Sequence, residues 1–251
     1  MTFQAFCGKW LVLFGMIVAR YFAIAGGAYW LFYRVLGKAR GPSARSIRED
    51  IGMSIASGLI FALGAVGILA GYDSGITLIY SDFNRYGAWY PAISFLAVLV
   101  LQDTYFYFLH RLFHHPALFR WIHSGHHRSG DPTPWTSFAF DIPEALVQTL
   151  FFLGIVAIVP LHAVTLFAAL FTMTVWAVYN HLGFEVFPPE SGDRPSGQWL
   201  IGSAHHAIHH RRYTVHYGLY FTFWDRICGT EVKETGWLRS QESVVGCQEE
   251  E

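Results

Sequence analysis

Charge is scarce in this 251-residue chain: Asp, Glu, Lys and Arg make up 14% of it, against about 25% in soluble domains. Seventeen basic residues oppose eighteen acidic ones for a net charge of −1. No positive excess is on hand to hold a phosphate backbone, so nucleic acid is excluded as a partner. Cysteine is scarce too. Cys7, Cys228 and Cys247 could close one bridge at most and lack the paired spacing of a zinc ribbon, so they read as free thiols facing a reducing compartment. No G-x-G-x-x-G motif stands between a strand and a helix, which removes a dinucleotide fold; Gly58, Gly64, Gly67 and Gly71 lie inside an apolar run, where they suit helix packing. The N-terminus lacks the basic stretch and short apolar core of a cleaved signal. What is abundant is apolar surface: 53% hydrophobic, 18% aromatic, with a mean hydropathy of +0.32. The class this leaves is an integral membrane protein.

Two runs are long enough to cross about 30 Å of hydrocarbon. Residues 10–33 carry Arg20 as their only charge, expected to be paired or to snorkel, and residues 51–71 carry none. A third segment, 86–101, turns polar at Gln102 and Asp103. A fourth and a fifth, 145–161 and 163–178, meet at Val159-Pro160-Leu161-His162 as a helical hairpin whose arms are near the lower limit for a crossing. Alternating crossings put 14 of the 17 basic residues on one face, which the positive-inside rule makes cytoplasmic. They also put 12 of the 13 histidines there and leave His162 at the hairpin tip, a poor candidate for any shared site.

The histidines fall in three clusters: His110-Arg-Leu-Phe-His114-His115, His123-Ser-Gly-His126-His127, and His205-His206-Ala-Ile-His209-His210, with His181 alone after Asn180. Residues three and four apart share a helical face. His123 is therefore expected to converge with His126 and His127, His206 with His209 and His210, and His110 with His114. His115 and His205 point about 100° from their neighbours and read as outer or surface residues. Neutral imidazole binds zinc, copper, iron and nickel. A closed structural zinc takes about four ligands, so some nine histidines favour a two-metal catalytic site with open positions. Asp103, Tyr107, His110 and His114 share one stripe, where a carboxylate could accept the N–H of a ligating histidine. The alternative for Asp103 is an interaction with interfacial arginines. Tyr105 to Phe108 read as an interfacial aromatic belt. A histidine-rich metal-binding or metal-transport protein without oxygenase activity stays open as the rival.

These residues resemble the fatty acid hydroxylase and sterol desaturase superfamily of membrane di-iron enzymes. Asp103-Thr-Tyr-Phe-Tyr-Phe-Leu-His110-Arg-Leu-Phe-His114 is similar to its first box, Ile122-His123-Ser-Gly-His126-His127 to its second and His206-Ala-Ile-His209-His210 to its third. Between and after them stand Pro132-Thr133-Pro134-Trp135, Glu144, Tyr217-Gly218 and Trp224-Asp225-Arg226-Ile-Cys-Gly229-Thr230. Three positions depart from the pattern: Ala207 replaces an acidic residue, Asp141 a histidine and His216 an asparagine. His181 matches an isolated histidine of the family, and Glu185 stands where some relatives have a further ligand.

The resemblance implies an all-α integral membrane fold of four to five membrane helices including the hairpin, with a cytoplasmic, histidine-rich helical cap holding two metals. It implies two iron ions, for which zinc can substitute in purified protein, held by His110, His114, His123, His126, His127, His181, His206, His209 and His210. Asp103, Tyr107 and Asn180 are the catalytic candidates. The implied reaction is oxygen-dependent attack on an unactivated C–H bond of a lipid such as a sterol or fatty acyl chain, giving an alcohol or a double bond. No fused cytochrome b5 domain is visible, so electrons are expected from a separate cytochrome b5, ferredoxin or reductase. Arg211 and Arg212 are either docking charges for it or a solvated pair. The expected organisation is N-terminal membrane helices over 1–101, a histidine-box region over 102–235 that includes the hairpin 145–178, and a loose acidic tail over 236–251.

Overall fold

A computed structural model of the chain describes residues 2–38, 41–186 and 199–232. The acidic tail 236–251, Cys247, Arg40, Arg194, Lys233 and Arg239 lie outside the described residues. The described part is almost entirely helical, and four of its helices are long and apolar enough to cross a membrane. These are α1 (Phe3–Val35), α2 (Ala44–Asp73), α3 (Tyr90–Phe113) and α6 (Ala163–Asn180). Between the last two come the short α4 (Pro116–Ile122) and the 17-residue apolar α5 (Ile142–Ile158). After α6 follow α7 (Ser203–Arg212) and α8 (Phe223–Ile227).

Each membrane helix exposes an apolar stripe. On α6 the exposed residues are Val164, Phe167, Phe171 and Val175, recurring every three to four positions along one side. Ile93, Leu96 and Val100 do the same on α3. So broad an apolar belt has no business in water, and lipid is its natural cover. The opposite sides pack together. Val98 of α3 meets Phe151, Phe152, Ile155 and Val156 of α5 and Leu166 and Ala169 of α6 in one core. Small residues let the backbones close up: Gly58 faces Phe14 of α1, and Gly64 and Gly67 face Thr149 and Leu153 of α5. Trp10 Nε1 donates to the Leu59 carbonyl at 3.1 Å, tying α1 to α2.

Three features depart from the sequence reading. The hairpin tip is a β-element as well as a turn: β2 (Leu161–His162) pairs in parallel with β1 (Ile79–Tyr80), and His162 caps α6 while its Nε2 reaches the Ser81 carbonyl at 2.9 Å. The segment Tyr105 to Phe108 is not an aromatic belt, because Phe106 and Tyr107 are buried and Tyr105 donates to the Val147 carbonyl. Arg20 makes no ion pair among the described residues, and its Nε is buried without a hydrogen-bond partner among them.

α1 widens to a π-helix over Phe22–Gly26 and again over Trp30–Val35. Gly26 lets the Trp135 indole lie against the helix, since a Cβ there would meet the ring at 3.0 Å. Tyr21 adds a hydrogen bond to the Trp135 carbonyl (2.7 Å), and Tyr33 one to the Leu182 carbonyl (2.6 Å). The N-terminal helix thereby grips the segments on either side of α5 and α6, at the end where the histidines collect.

Candidate metal centre

Nine buried or half-buried histidines form two groups. His110, His114, His123, His127 and His209 make one, and His126, His181, His206 and His210 the other; within each, the candidate ligand atoms lie within 4.8 Å of one another. The end of α3 supplies His110 and His114, the residue after α4 is His123, and the residue after α6 is His181. The expected convergence of each H-x-x-H-H on one face gives way to a division. α4 stops at Ile122, His123 takes φ −138°, and His126–Arg128 is a single 3-10 turn. His126 and His127 therefore go to different groups. On α7, His206 and His210 are one turn apart and face the second group, while His209 faces the first.

The other ring nitrogen of most of these histidines is already spoken for. The Nδ1 of His110 donates to the Tyr217 carbonyl (3.0 Å), His126 to Ala139 (3.1 Å), His181 to Ala177 (2.7 Å), His209 to Val215 (2.7 Å) and His210 to Ser129 (3.1 Å). A carbonyl oxygen can only accept, so the proton sits on Nδ1 and Nε2 carries a bare lone pair. Glu144 Oε2 stands at 2.7 Å from the Nδ1 of His123, within reach to take the same part when the carboxyl is ionised. The Nε2 atoms then confront each other: His126 and His181 at 3.3 Å, His110 and His123 at 3.0 Å. Two unprotonated nitrogens cannot share a hydrogen bond, and a cation between such atoms is what resolves their repulsion. The donor set is all nitrogen with no thiolate, which suits iron and also zinc.

Burial keeps the rings neutral. It holds His114 and His181 at about 3, with the approach of His126 adding to the effect, and holds His126 at about 4 against the opposing pull of the Ala139 carbonyl. Burial first, then neighbouring imidazoles, push His123, His206, His209 and His210 well below the ordinary histidine range. Neutral imidazole is the form that ligates. A cavity of about 30 Å³ lies where the groups meet, lined by His110 and His123 from one, His126, His181 and His206 from the other, and Phe106, Ser137, Phe140, Glu144, Ala177, Asn180 and Leu219.

Residues 95–230 match the family model described as fatty acid hydroxylase, more than half of the chain. The chain belongs to the fatty acid hydroxylase family. It is 30% identical over 206 residues to a Delta(7)-sterol 5(6)-desaturase of Gibberella zeae, covering 80% of this chain and 61% of that one. It is 27% identical over 218 residues to lathosterol oxidase of Homo sapiens (86% and 71%) and 32% identical over 154 residues to methylsterol monooxygenase 1 of Rattus norvegicus (61% and 51%). The chain thus spans between about half and about seven tenths of the length of these relatives. No solved structure matches it.

The fatty acid hydroxylase motifs outside the histidines turn out to hold loops. Asp103 does not touch a histidine: its Oδ1 accepts the backbone N–H groups of Leu219 (3.1 Å), Tyr220 (2.7 Å) and Phe221 (3.1 Å). Asp225 accepts those of Tyr217 (2.9 Å) and Gly218 (3.0 Å) and the Thr230 hydroxyl (2.7 Å). Two carboxylates thus fix residues 217–221, whose Tyr217 carbonyl orients His110. Gly218 is required there, because a Cβ would strike the Phe221 carbonyl. The Tyr107 hydroxyl bonds Thr230 Oγ1 at 2.9 Å, in the same brace, while Asn180 lines the cavity and donates from Nδ2 to the Leu219 carbonyl at 3.0 Å. Asp141, where a histidine is common, accepts the Gly125 N–H at 2.7 Å and so shapes the turn between His123 and His126. His216 takes φ 55°, a left-handed conformation that asparagine enters easily. Ala207 is buried on α7.

Glu185 stands outside both groups, accepting from the Tyr179 hydroxyl (3.1 Å) and the Ala204 N–H (3.4 Å). His115 is exposed and caps α4, and His205 packs its ring on His216 at 5.0 Å. Arg211 pairs with Asp131 at 2.6 Å on the surface. The residue that sequence reasoning missed is Asp50 on α2. It is 4% exposed and accepts from Ser129 Oγ (2.6 Å) and Thr136 Oγ1 (2.7 Å), and the Ser129 carbonyl in turn orients His210. A carboxylate directly ahead of an uncharged membrane run was the available signal, since such a group is costly unless paired.

Proposed function

We propose that this protein is a membrane-bound, oxygen-dependent di-iron enzyme that hydroxylates or desaturates an unactivated C–H bond of a lipid. The observation that carries the reading is the pair of histidine groups, within each of which Nε2 atoms face one another at 3.0–3.3 Å. One iron would be held by the five-histidine group and the other by the four-histidine group. The irons, when bound, supply dioxygen activation and the oxidant for C–H attack. The chain supplies position: backbone carbonyls and Glu144 fix the ring orientations, which keeps each Nε2 aimed inward. Burial excludes water and keeps the ligands unprotonated.

The names of the relatives point to a sterol or a similarly rigid lipid as substrate, entering from the bilayer toward the cavity between the groups. Phe106 lies one turn before His110 on α3 and Ala177 one turn before His181 on α6, so two of the membrane helices wall part of the cavity. Electrons come from a separate donor such as cytochrome b5, a ferredoxin or a reductase, at the face that carries most of the arginines; the positive-inside rule makes that face cytoplasmic. Lipid extract given to iron-loaded protein with reductant and dioxygen tests the reading. A lipid that gains an oxygen or loses two hydrogens supports it, and loss of oxygen consumption in both His126→Ala and His209→Ala ties the activity to the two groups.

A further inference from the structure

The two histidine groups differ in how they meet the outside. His126, His181, His206 and His210 are each 4% exposed or less, and so are His110, His123, His127 and His209. His114 alone among the nine is only half-buried. Its Nε2 faces that of His209 at 3.1 Å, while its Nδ1 has no hydrogen-bond partner among the described residues. The five-histidine group therefore has one ligand within reach of solvent, and the four-histidine group has none.

Two rings roof that ligand. Phe119 of α4 lies 5.3 Å from the His114 ring and 5.7 Å from that of His127. Tyr213 lies 6.0 Å and 4.7 Å from the same two, and the roof rings are 5.5 Å apart. Tyr213 is 40% exposed, so the outer side of the roof is open to solvent. It stands at φ 60° and His216 at φ 55°, the positive-φ non-glycine residues of the described chain, both within residues 213–216. Such backbone persists only where its surroundings hold it. The anchors here are at the ends. Tyr213 N–H donates to the His209 carbonyl (2.8 Å), the Tyr217 hydroxyl to the Tyr213 carbonyl (3.0 Å), and His216 N–H to the Thr230 carbonyl (3.0 Å). Between them Thr214 is exposed and Val215 half-buried, and a surface segment with so little apolar burial is of the kind that opens locally while the rest of the fold stays shut. The Val215 carbonyl holds His209 Nδ1 at 2.7 Å, so lifting this strap loosens a second ligand of the five-histidine group as it uncovers His114.

We propose that residues 213–216, together with Phe119, form a gate for metal: the ion of the five-histidine group enters and leaves past His114 when this strap lifts, and the enclosed four-histidine group exchanges its ion more slowly. The proposal rests on the two-metal part of the reading above and needs none of its lipid chemistry.

The test loads the full chain in detergent with Zn²⁺ and follows its release to an excess of a chromogenic chelator. Two phases are expected, with one ion in each. Tyr213→Asn removes the ring and keeps a residue that enters left-handed backbone easily, and Phe119→Ala removes the other half of the roof. Each should speed the faster phase by about tenfold, the size of effect that lost aromatic contacts give, and leave the slower phase as it is. A gate lowers the barrier in both directions, so zinc uptake should speed by the same factor while the equilibrium affinity holds. A strap that merely supported the ligands would instead lose affinity. In His126→Ala, which keeps the five-histidine group, the remaining ion should leave in the fast phase; the roof variants keep all nine histidines and decide the matter should His126→Ala fail to fold. Release of both ions in one phase would overturn the gate and leave the two-metal reading standing. So would an unchanged rate in either roof variant, a variant that speeds both phases alike, or faster release matched by an equal loss of affinity. Binding of fewer than two zinc ions at saturation would overturn the two-metal reading and the gate with it.

Discussion

Replacing Glu144 tests whether the carboxylate behind His123 sets the first histidine group. Glu144 Oε2 and His123 Nδ1 are 2.7 Å apart, and both side chains are 1% exposed. In Glu144→Ala the imidazole N–H is left buried without an acceptor, at a cost of about 1–3 kcal/mol. Loss of such a partner behind a ligating histidine weakens metal binding by about 10–100-fold, which converts to about 1.4–2.7 kcal/mol. The two routes agree. Glu144→Gln retains an oxygen that can accept the same bond, so it should lose no more than about tenfold. Competition with a graded series of chelators would measure the affinity of each ion in wild type and both variants, with circular dichroism confirming the helices. The loss should fall on one ion per chain, since His123 belongs to only one group. Wild-type affinity for both ions in Glu144→Ala would refute the reasoning, and so would a Gln variant no better than the Ala variant.

His126→Ala and His209→Ala should each cost one of the two metals, His126→Ala from the four-histidine group and His209→Ala from the five-histidine group, which metal analysis of the purified variants checks. Asp50→Ala should lower stability by about 1–3 kcal/mol by stranding the Ser129 and Thr136 hydroxyls, and should weaken metal binding through His210; Asp50→Asn should recover part of both in the same melting and chelation assays. The metal-free protein should lose stability on acidification. Folded His114, His126 and His181 stay neutral down to about 3 to 4, whereas the same residues in the unfolded chain take up protons near 6.5. The unfolded state binds more protons in that window, so stability is full above it and falls as pH drops through it. Thermal melts at about pH 7.5 and about pH 5.5 should show a lower midpoint at the acid end, and equal midpoints would contradict the burial of neutral rings.

The membrane helices were legible because uncharged runs of about 20 residues have few other uses. Eight of the nine candidate ligands were legible because their histidines cluster, and His181, which stands alone, was legible through the family resemblance. Their division between two groups was not, because it depends on where helices end: the helix stops at Ile122 and His123, at φ −138°, takes the second box out of helical geometry, which no count of spacings reveals. The fixing of five Nδ1 atoms by backbone carbonyls was invisible for a different reason, since a carbonyl leaves no mark in the side-chain sequence. Asp103 was correctly singled out as a costly buried carboxylate, but its partners are main-chain N–H groups more than a hundred residues away. The two-residue strands β1 and β2 are too short to carry a periodic pattern. Tyr105 to Phe108 misled because aromatics mark a membrane interface and a helix–helix contact equally well.

Metal content and lipid products measured together on the same detergent-purified protein test the central claim most directly. The protein would be loaded with ferrous iron and given reductant, dioxygen and a total membrane lipid extract. The two-group geometry predicts close to two irons per chain and a lipid that has gained an oxygen or lost two hydrogens. One tightly held zinc per chain with no oxygen consumption would contradict it.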